Sequence, residues 1–375
     1  MGKQVKTPRF YVDIPTFLHA TGDIDWGISS VGGAELLYMN CANPYVRKNT
    51  NAGDWIFRIG DFGKISKTAF PINFCALLNH NLASEVVAEN LFTVSGIHAI
   101  MNEPSDYDSI SISSVIKDEI LNANSIGGLQ PKYNGTSIWT LNEQESKYWH
   151  FFGIKYEDGY DENHPHQLGS FVVGKYFDCP NSPDLNVTMS RRFDGIKKQK
   201  TIGGKQLANI YYDGPTEWTM NRKIADFNGF ETYKYPPFEL DTTAKVDSEG
   251  YRYDFRAKSG LGRKGLRSWN LTFSYISESD MWINSEVSSK IINDEVEDGQ
   301  IPTTGIDENP MLSDNSFNFV YNCTLGGALP FIFTDDKDSN APDRYSICTF
   351  RENTFKVTQV AFNTYNVSMT IDEIA

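Results

Sequence analysis

The 375 residues carry 34 Lys and Arg against 48 Asp and Glu, a net charge of −14. An acidic body of this kind repels nucleic acid and anionic membranes at long range, which excludes a protein whose whole surface grips either. The 24 Phe, 19 Tyr and 7 Trp are too rich a core-forming complement for a disordered chain, and the length corresponds to two domains or one with large insertions.

In chain order, period-two spacing appears first at Trp55, Phe57 and Ile59, which predicts a strand. Helix is expected only at Leu82 to Glu89 and Ser114 to Ala123, two or three turns each. Tyr251, Tyr253 and Phe255 repeat the strand rhythm. The clearest signal is Ser268 to Tyr275, where Trp269, Leu271, Phe273 and Tyr275 fall on one face and small polar residues on the other. Phe317 to Tyr321 and Asn366 to Ile371 read as further strands. Diglycine steps at Gly32-Gly33, Gly127-Gly128, Gly203-Gly204 and Gly326-Gly327 supply turns between such runs. The expected fold class is mostly β, with sandwich or barrel architecture and few short helices. The expected division is an N-terminal β-sandwich at 1–180 and a C-terminal β-barrel unit at 181–375, with a Pro-rich insertion near 233–262 around Pro236-Pro237.

The opening MGKQVKTPRF is basic and lacks the apolar stretch of a secretory signal, and no run is long enough to cross a bilayer. The cysteines (Cys41, Cys75, Cys179, Cys323, Cys348) are odd in number and free of C-x-x-C, so they read as buried, reduced thiols. The sequons at Asn134, Asn186, Asn270, Asn322 and Asn366 read as by-products of an Asn- and Thr-rich β composition.

Candidate chemistry is sparse. His164-Pro165-His166 with Asp161 and Glu162 is the densest metal-capable set, but with no further Cys or His nearby in sequence an exposed polar loop is the favoured reading. His80 lies between apolar flanks, which favours a hydrogen-bonding role in the core. Asp336 to Asn340 begins like a calcium loop, but Ala341 and Ile347 stand where glycine and a bidentate glutamate are required. A polar hairpin tip between strands at Phe331 to Phe333 and Tyr345 to Ile347 is the alternative. Asp178, Asp184 and Asp194 are the carboxylates available for a glycosidase-type pair. The chain contains no G-x-S-x-G, Walker loop, H-E-x-x-H or G-x-G-x-x-G motif, and no cofactor is expected. Against the acidic background stand two basic islands: Arg191, Arg192, Lys197, Lys198, Lys200 and Lys205, then Arg263, Lys264 and Arg267. They read as a solvated face, as subunit-pairing surface, or as a lining that meets a polyanion.

The order of Arg267 to Tyr275, Leu329-Pro330-Phe331-Ile332-Phe333, Tyr345 to Phe350 and the exit strand Tyr365 to Glu373 resembles tail-tip proteins of tailed bacteriophages, particularly the distal tail, minor tail and baseplate hub family. Phe74 to Leu82 is similar to strand ends of discoidin-like sandwiches in phage virion proteins. The resemblance implies a non-enzymatic virion component of the tail, made in the host cytoplasm. Its hub domain would assemble as a homo-oligomeric ring, most simply hexameric, against other tail proteins, touching DNA at most weakly and no membrane. The competing expectation is a carbohydrate-binding adhesin using aromatics such as Trp149, Tyr156 or Tyr160. A third is a β-sandwich glycan-cleaving enzyme built on the aspartates above.

Overall fold

The computed structural model describes residues 4–22, 36–39, 45–47, 55–60, 68–80, 94–100, 116–124, 130–131, 135–146, 150–155, 166–193, 196–210, 224–225, 231–232, 265–283, 290–292, 306–308, 312 and 315–374. The chain is mostly β. Fourteen strands join one branched sheet, whose main path runs Thr188–Arg192, Leu266–Ser277, Thr364–Glu373, Tyr345–Phe350, Phe331–Thr334, Arg9–Asp13, His166–Asp178, Thr68–His80, Ile306–Glu308 and Lys290–Ile292. Neighbours along it are antiparallel except for Ile306–Glu308 beside Thr68–His80. A separate sheet sets His150–Lys155 between Trp55–Gly60 and Val94–Ile100, which places the expected strand at Trp55. The expected division near 180 falls just after His166–Asp178, and the sheet runs on from there through Arg9–Asp13 and Phe331–Thr334.

The centre of the sheet is covered on both faces. All five residues of Arg9–Asp13 are buried, so its side chains do not alternate between core and water but between two cores. Phe10 and Val12 join one apolar cluster, and Tyr11 joins the other. Residues 74–78 divide in the same way: Cys75 and Leu77 on one side, Phe74, Ala76 and Leu78 on the other. Gly174 makes room where the two strands meet. It stands opposite Asp13, and a Cβ there would lie 2.1 Å from the Val12 carbonyl oxygen. Further out, at Leu266–Ser277, only one face is buried; Trp269, Leu271 and Phe273 point into the core and Asn270 is exposed.

Three elements depart from the sequence reading, each for a local reason. Tyr275 does not follow Phe273 into the core. The register against Thr364–Glu373 shifts between Phe273 and Ile276, and Tyr275 adopts a φ of 60°. Ile276 takes the core position and Tyr275 is left 78% exposed. Phe317–Cys323 is an α-helix rather than a strand. Ser316 caps it by accepting the Phe319 amide at 3.2 Å, and the chain turns away after Thr324. Phe317 and Tyr321, one turn apart, then pack on Phe177 and Phe350 with ring centroids 4.9 and 4.0 Å apart. Ile116–Leu121 is a strand, not the expected helix from Ser114 to Ala123. It pairs with Gly135–Ser146 through two register shifts, and Lys117 and Asp118 face outward as charged residues do on an edge. A helix at Ile14–Thr21, entered through Pro15 and closed by left-handed Gly22, had no counterpart among the expected elements. The expected helix at Leu82 to Glu89, the run at Tyr251 to Phe255 and the insertion near 233–262 lie outside the described residues; just before the insertion Ile224–Ala225 pairs with Glu231–Thr232.

Candidate functional site

The candidate chemical groups that lie among the described residues are mostly engaged inside the fold. Asp178 holds Arg9 through both carboxylate oxygens, and the guanidinium lies 4.2 Å from the centre of the Tyr176 ring. Burial is the largest single influence and works against the charge on Arg9, but the hydrogen bonds and charge interactions with Asp178 and Tyr11 together outweigh it, and its pKa is raised. Asp184 accepts the Ser274 hydroxyl at 2.7 Å. Asp194 lies outside the described residues, as do Asp161, Glu162, His164, Trp149, Tyr156, Tyr160 and Cys41. His166 opens the strand His166–Asp178. Among the described residues, no three His, Cys, Asp or Glu are grouped to hold a metal ion.

Asp336 sits where the calcium-like run begins, but its carboxylate meets Lys6 at 3.0 Å and Arg344 at 3.5 Å. The run forms the turn between Phe331–Thr334 and Tyr345–Phe350, which pair antiparallel. His80 is wholly buried, with Nε2 3.0 Å from the Ser137 hydroxyl, and burial pulls its pKa down to about 3. It is a neutral core residue that meets a hydroxyl on a neighbouring strand. Cys75, Cys179, Cys323 and Cys348 are buried and free.

The basic islands are placed at one end of the strand Leu266–Ser277. Arg191 and Arg192 are exposed on Thr188–Arg192, opposite Arg267 and Leu266. Lys197, Lys198 and Lys200 lie on Ile196–Lys200, which forms a hairpin with Gln206–Ile210; Lys198, Lys200 and Lys205 are exposed. Gly265 lets the chain pass against the base of this arm, since a Cβ there would sit 2.8 Å from the Arg192 carbonyl oxygen. Arg263 and Lys264 lie outside the described residues.

Arg267 is withdrawn from the island. It is buried, its Nε and Nη2 meet the two Glu373 carboxylate oxygens at 3.1 and 2.8 Å, and it donates to the Asp343 and Tyr345 carbonyls and to Ser346. Its sequence neighbours suggested a surface cation. What decides otherwise is Glu373, more than a hundred residues away, which the antiparallel register of the two strands brings alongside.

Sequence reasoning missed the exposed apolar residues around these strands. Ile202, at the tip of the arm, is fully exposed; Leu207 on the arm and Met189 and Phe193 on and just after Thr188–Arg192 are exposed too. Toward the other end of Leu266–Ser277 stand Leu185 at 98%, Tyr275 at 78% and Phe362 at 88% exposure. The available signal was local: Leu185, Ile202 and Phe362 are single apolar residues set among turn-forming neighbours, in Ser-Pro-Asp-Leu-Asn, Thr-Ile-Gly-Gly and Phe-Asn-Thr.

No protein-family model matches the chain, and no curated protein or solved structure was found to match it.

Proposed function

We propose that the chain is a structural subunit of a phage tail tip, of the distal-tail or baseplate-hub kind, which acts by assembling with copies of itself and with neighbouring tail proteins. On this reading it is non-enzymatic and resides in the virion tail. The observation that carries it is the outer part of the sheet. Thr188–Arg192 forms the end of the main path with all five residues exposed, and it leads into a hairpin whose described side chains are exposed throughout. Exposed strand edges and large apolar side chains are costly for a soluble monomer, and they become assets when a partner covers them. Basic residues on this arm, attached to an acidic chain, add the charge pairing that sets register between subunits. The strand order behind the tail-tip resemblance also supports the reading: Leu266–Ser277, Phe331–Thr334, Tyr345–Phe350 and Thr364–Glu373 belong to one contiguous stretch of sheet.

The test is the solution mass of the purified protein by light scattering across concentration and salt, with negative-stain images of the same samples. A closed ring, most simply sixfold, is expected. A species that keeps the monomer mass at every concentration and salt, and binds glycans in that form, would replace this reading with the adhesin.

A further inference from the structure

Two surfaces at opposite ends of the same strand layer match each other in character. One is the arm, residues 196–210. Its described side chains from Lys198 to Leu207 are all exposed, with Lys198, Lys200 and Lys205 along it and Ile202 at 111% exposure on its turn. Hydrogen bonds between Thr201 and Lys205 close that turn, so Ile202 is presented on a formed hairpin rather than a loose loop.

The other surface lies at the far end of Leu266–Ser277. Asp184 is tied there by its amide to the Thr272 carbonyl at 2.8 Å and accepts the Ser274 hydroxyl, which sets Leu185 alongside this half of the strand. Ser277 pairs with Thr364, and the two-residue turn Phe362-Asn363 projects just past that pair. The exposed side chains of Leu185, Tyr275 and Phe362, one on each of three neighbouring segments, make up the apolar strip at this end of the layer. The described charged residues framing it are acidic: Asp184, then Glu278 and Asp280 on the short helix Glu278–Met281. The nearest described cation on the neighbouring strand, Lys356, is already paired with Glu352 at 3.0 Å.

We infer that the arm of one copy docks on this strip of a second copy, with Ile202 among Leu185, Tyr275 and Phe362 and the arm lysines facing Glu278 and Asp280. The inference rests on the self-assembly proposed above and specifies its contact. Charge complementarity selects a second copy as the occupant, because the same chain carries the basic apolar arm and the acidic apolar strip. The two surfaces differ and lie at opposite ends of one layer, so the contact is head-to-tail. Repeated, such a contact closes into a ring or continues as a filament. An isologous dimer would instead bury the same patch twice.

Two variants and their mixture test this in the full chain. Ile202→Asp spoils the arm and leaves the strip; Phe362→Asp spoils the strip and leaves the arm. Both side chains are exposed, so each variant should keep the wild-type melting curve. Alone, each should need at least about tenfold more protein than the wild type for half-assembly by sedimentation velocity. Mixed in equal amounts, they should form dimers and nothing longer, since one intact arm then meets one intact strip.

If the wild type assembles and either variant assembles as it does, or the mixture stays monomeric, the contact lies elsewhere and only this inference falls. If the wild type never assembles, the structural reading falls with it. Should a variant melt early, mixing Ile202→Cys with Phe362→Cys under oxidising conditions gives a second readout. A cross-linked dimer specific to the mixture is expected, and links within the Ile202→Cys protein alone would overturn the head-to-tail contact.

Discussion

Asp13 is the buried acid whose titration the fold exposes most directly. It ends the fully buried N-terminal strand and precedes the helix Ile14–Thr21. It accepts the Thr16 hydroxyl through Oδ2, while Oδ1 is buried without a hydrogen-bond partner. Burial pushes its pKa from 3.8 to about 7, the bonds from Thr16 and Val173 opposing this only in part. The folded state therefore holds the proton more tightly than the unfolded chain. The stability this gives is fully present below the unfolded value and is lost as pH rises through about 7. A displacement of about three units corresponds to roughly 4 kcal/mol in full, of which about 2.5 kcal/mol falls between about pH 5 and pH 8. Asn at this position keeps an acceptor for Thr16 and carries no charge. Relative to the wild type, Asp13→Asn should thus gain about 2.5 kcal/mol on going from pH 5 to pH 8, read from urea midpoints at both pH values. Taking the difference between the two proteins cancels every other titrating group, including His80, whose lowered pKa makes stability fall as pH drops from about 6.5 toward 3. A difference that does not move with pH would show that Asp13 is ionised in the folded protein and refute the argument.

Two further predictions address the same layer. Arg267→Met leaves the Glu373 carboxylate buried without its partner and should cost about 3–5 kcal/mol in denaturant unfolding, with part of the loss recovered by adding Glu373→Gln. Ile276→Ala should cost about 2–5 kcal/mol and Tyr275→Ala less than about 0.5, the reverse of what strict alternation from Trp269 implies; equal costs would mean the bulge is misplaced.

How much of this was legible depended on whether the deciding interaction was local. Trp269, Leu271 and Phe273 were readable because one face of their strand is buried and the other wet, the condition under which period two survives in a sequence. Arg9–Asp13 was not, because a strand buried on both faces alternates between two apolar clusters and reads as a plain run, Phe-Tyr-Val. Phe317 to Tyr321 fits both periods, since Phe317, Phe319 and Tyr321 alternate while Phe317, Val320 and Tyr321 share a helix face; the Ser316 cap decided it. Ile116 to Leu121 offered helical spacing that pairing with Gly135–Ser146 overrode. The basic islands were visible as composition, but the internal fate of Arg267 hangs on Glu373 and on a register no local pattern encodes.

The distribution of these groups also separates folding from assembly. The strongest charges of the outer sheet, Arg267 with Glu373 and Arg351 with Asp372, tie strands to one another within the chain and leave little for a partner. The aromatic contacts do the same: Trp269 packs on Phe333 and Phe273 on Phe317, both inside the core. Among the described residues, the arm lysines, Ile202, Leu185, Tyr275 and Phe362 are side chains that folding leaves exposed, and these are the ones the proposed contact uses. Removing them costs the monomer little, because an exposed side chain loses almost no burial when it is replaced. On the proposed reading the chain should fold before it assembles, so its assembly is expected to respond to salt and to surface substitutions while its melting temperature does not.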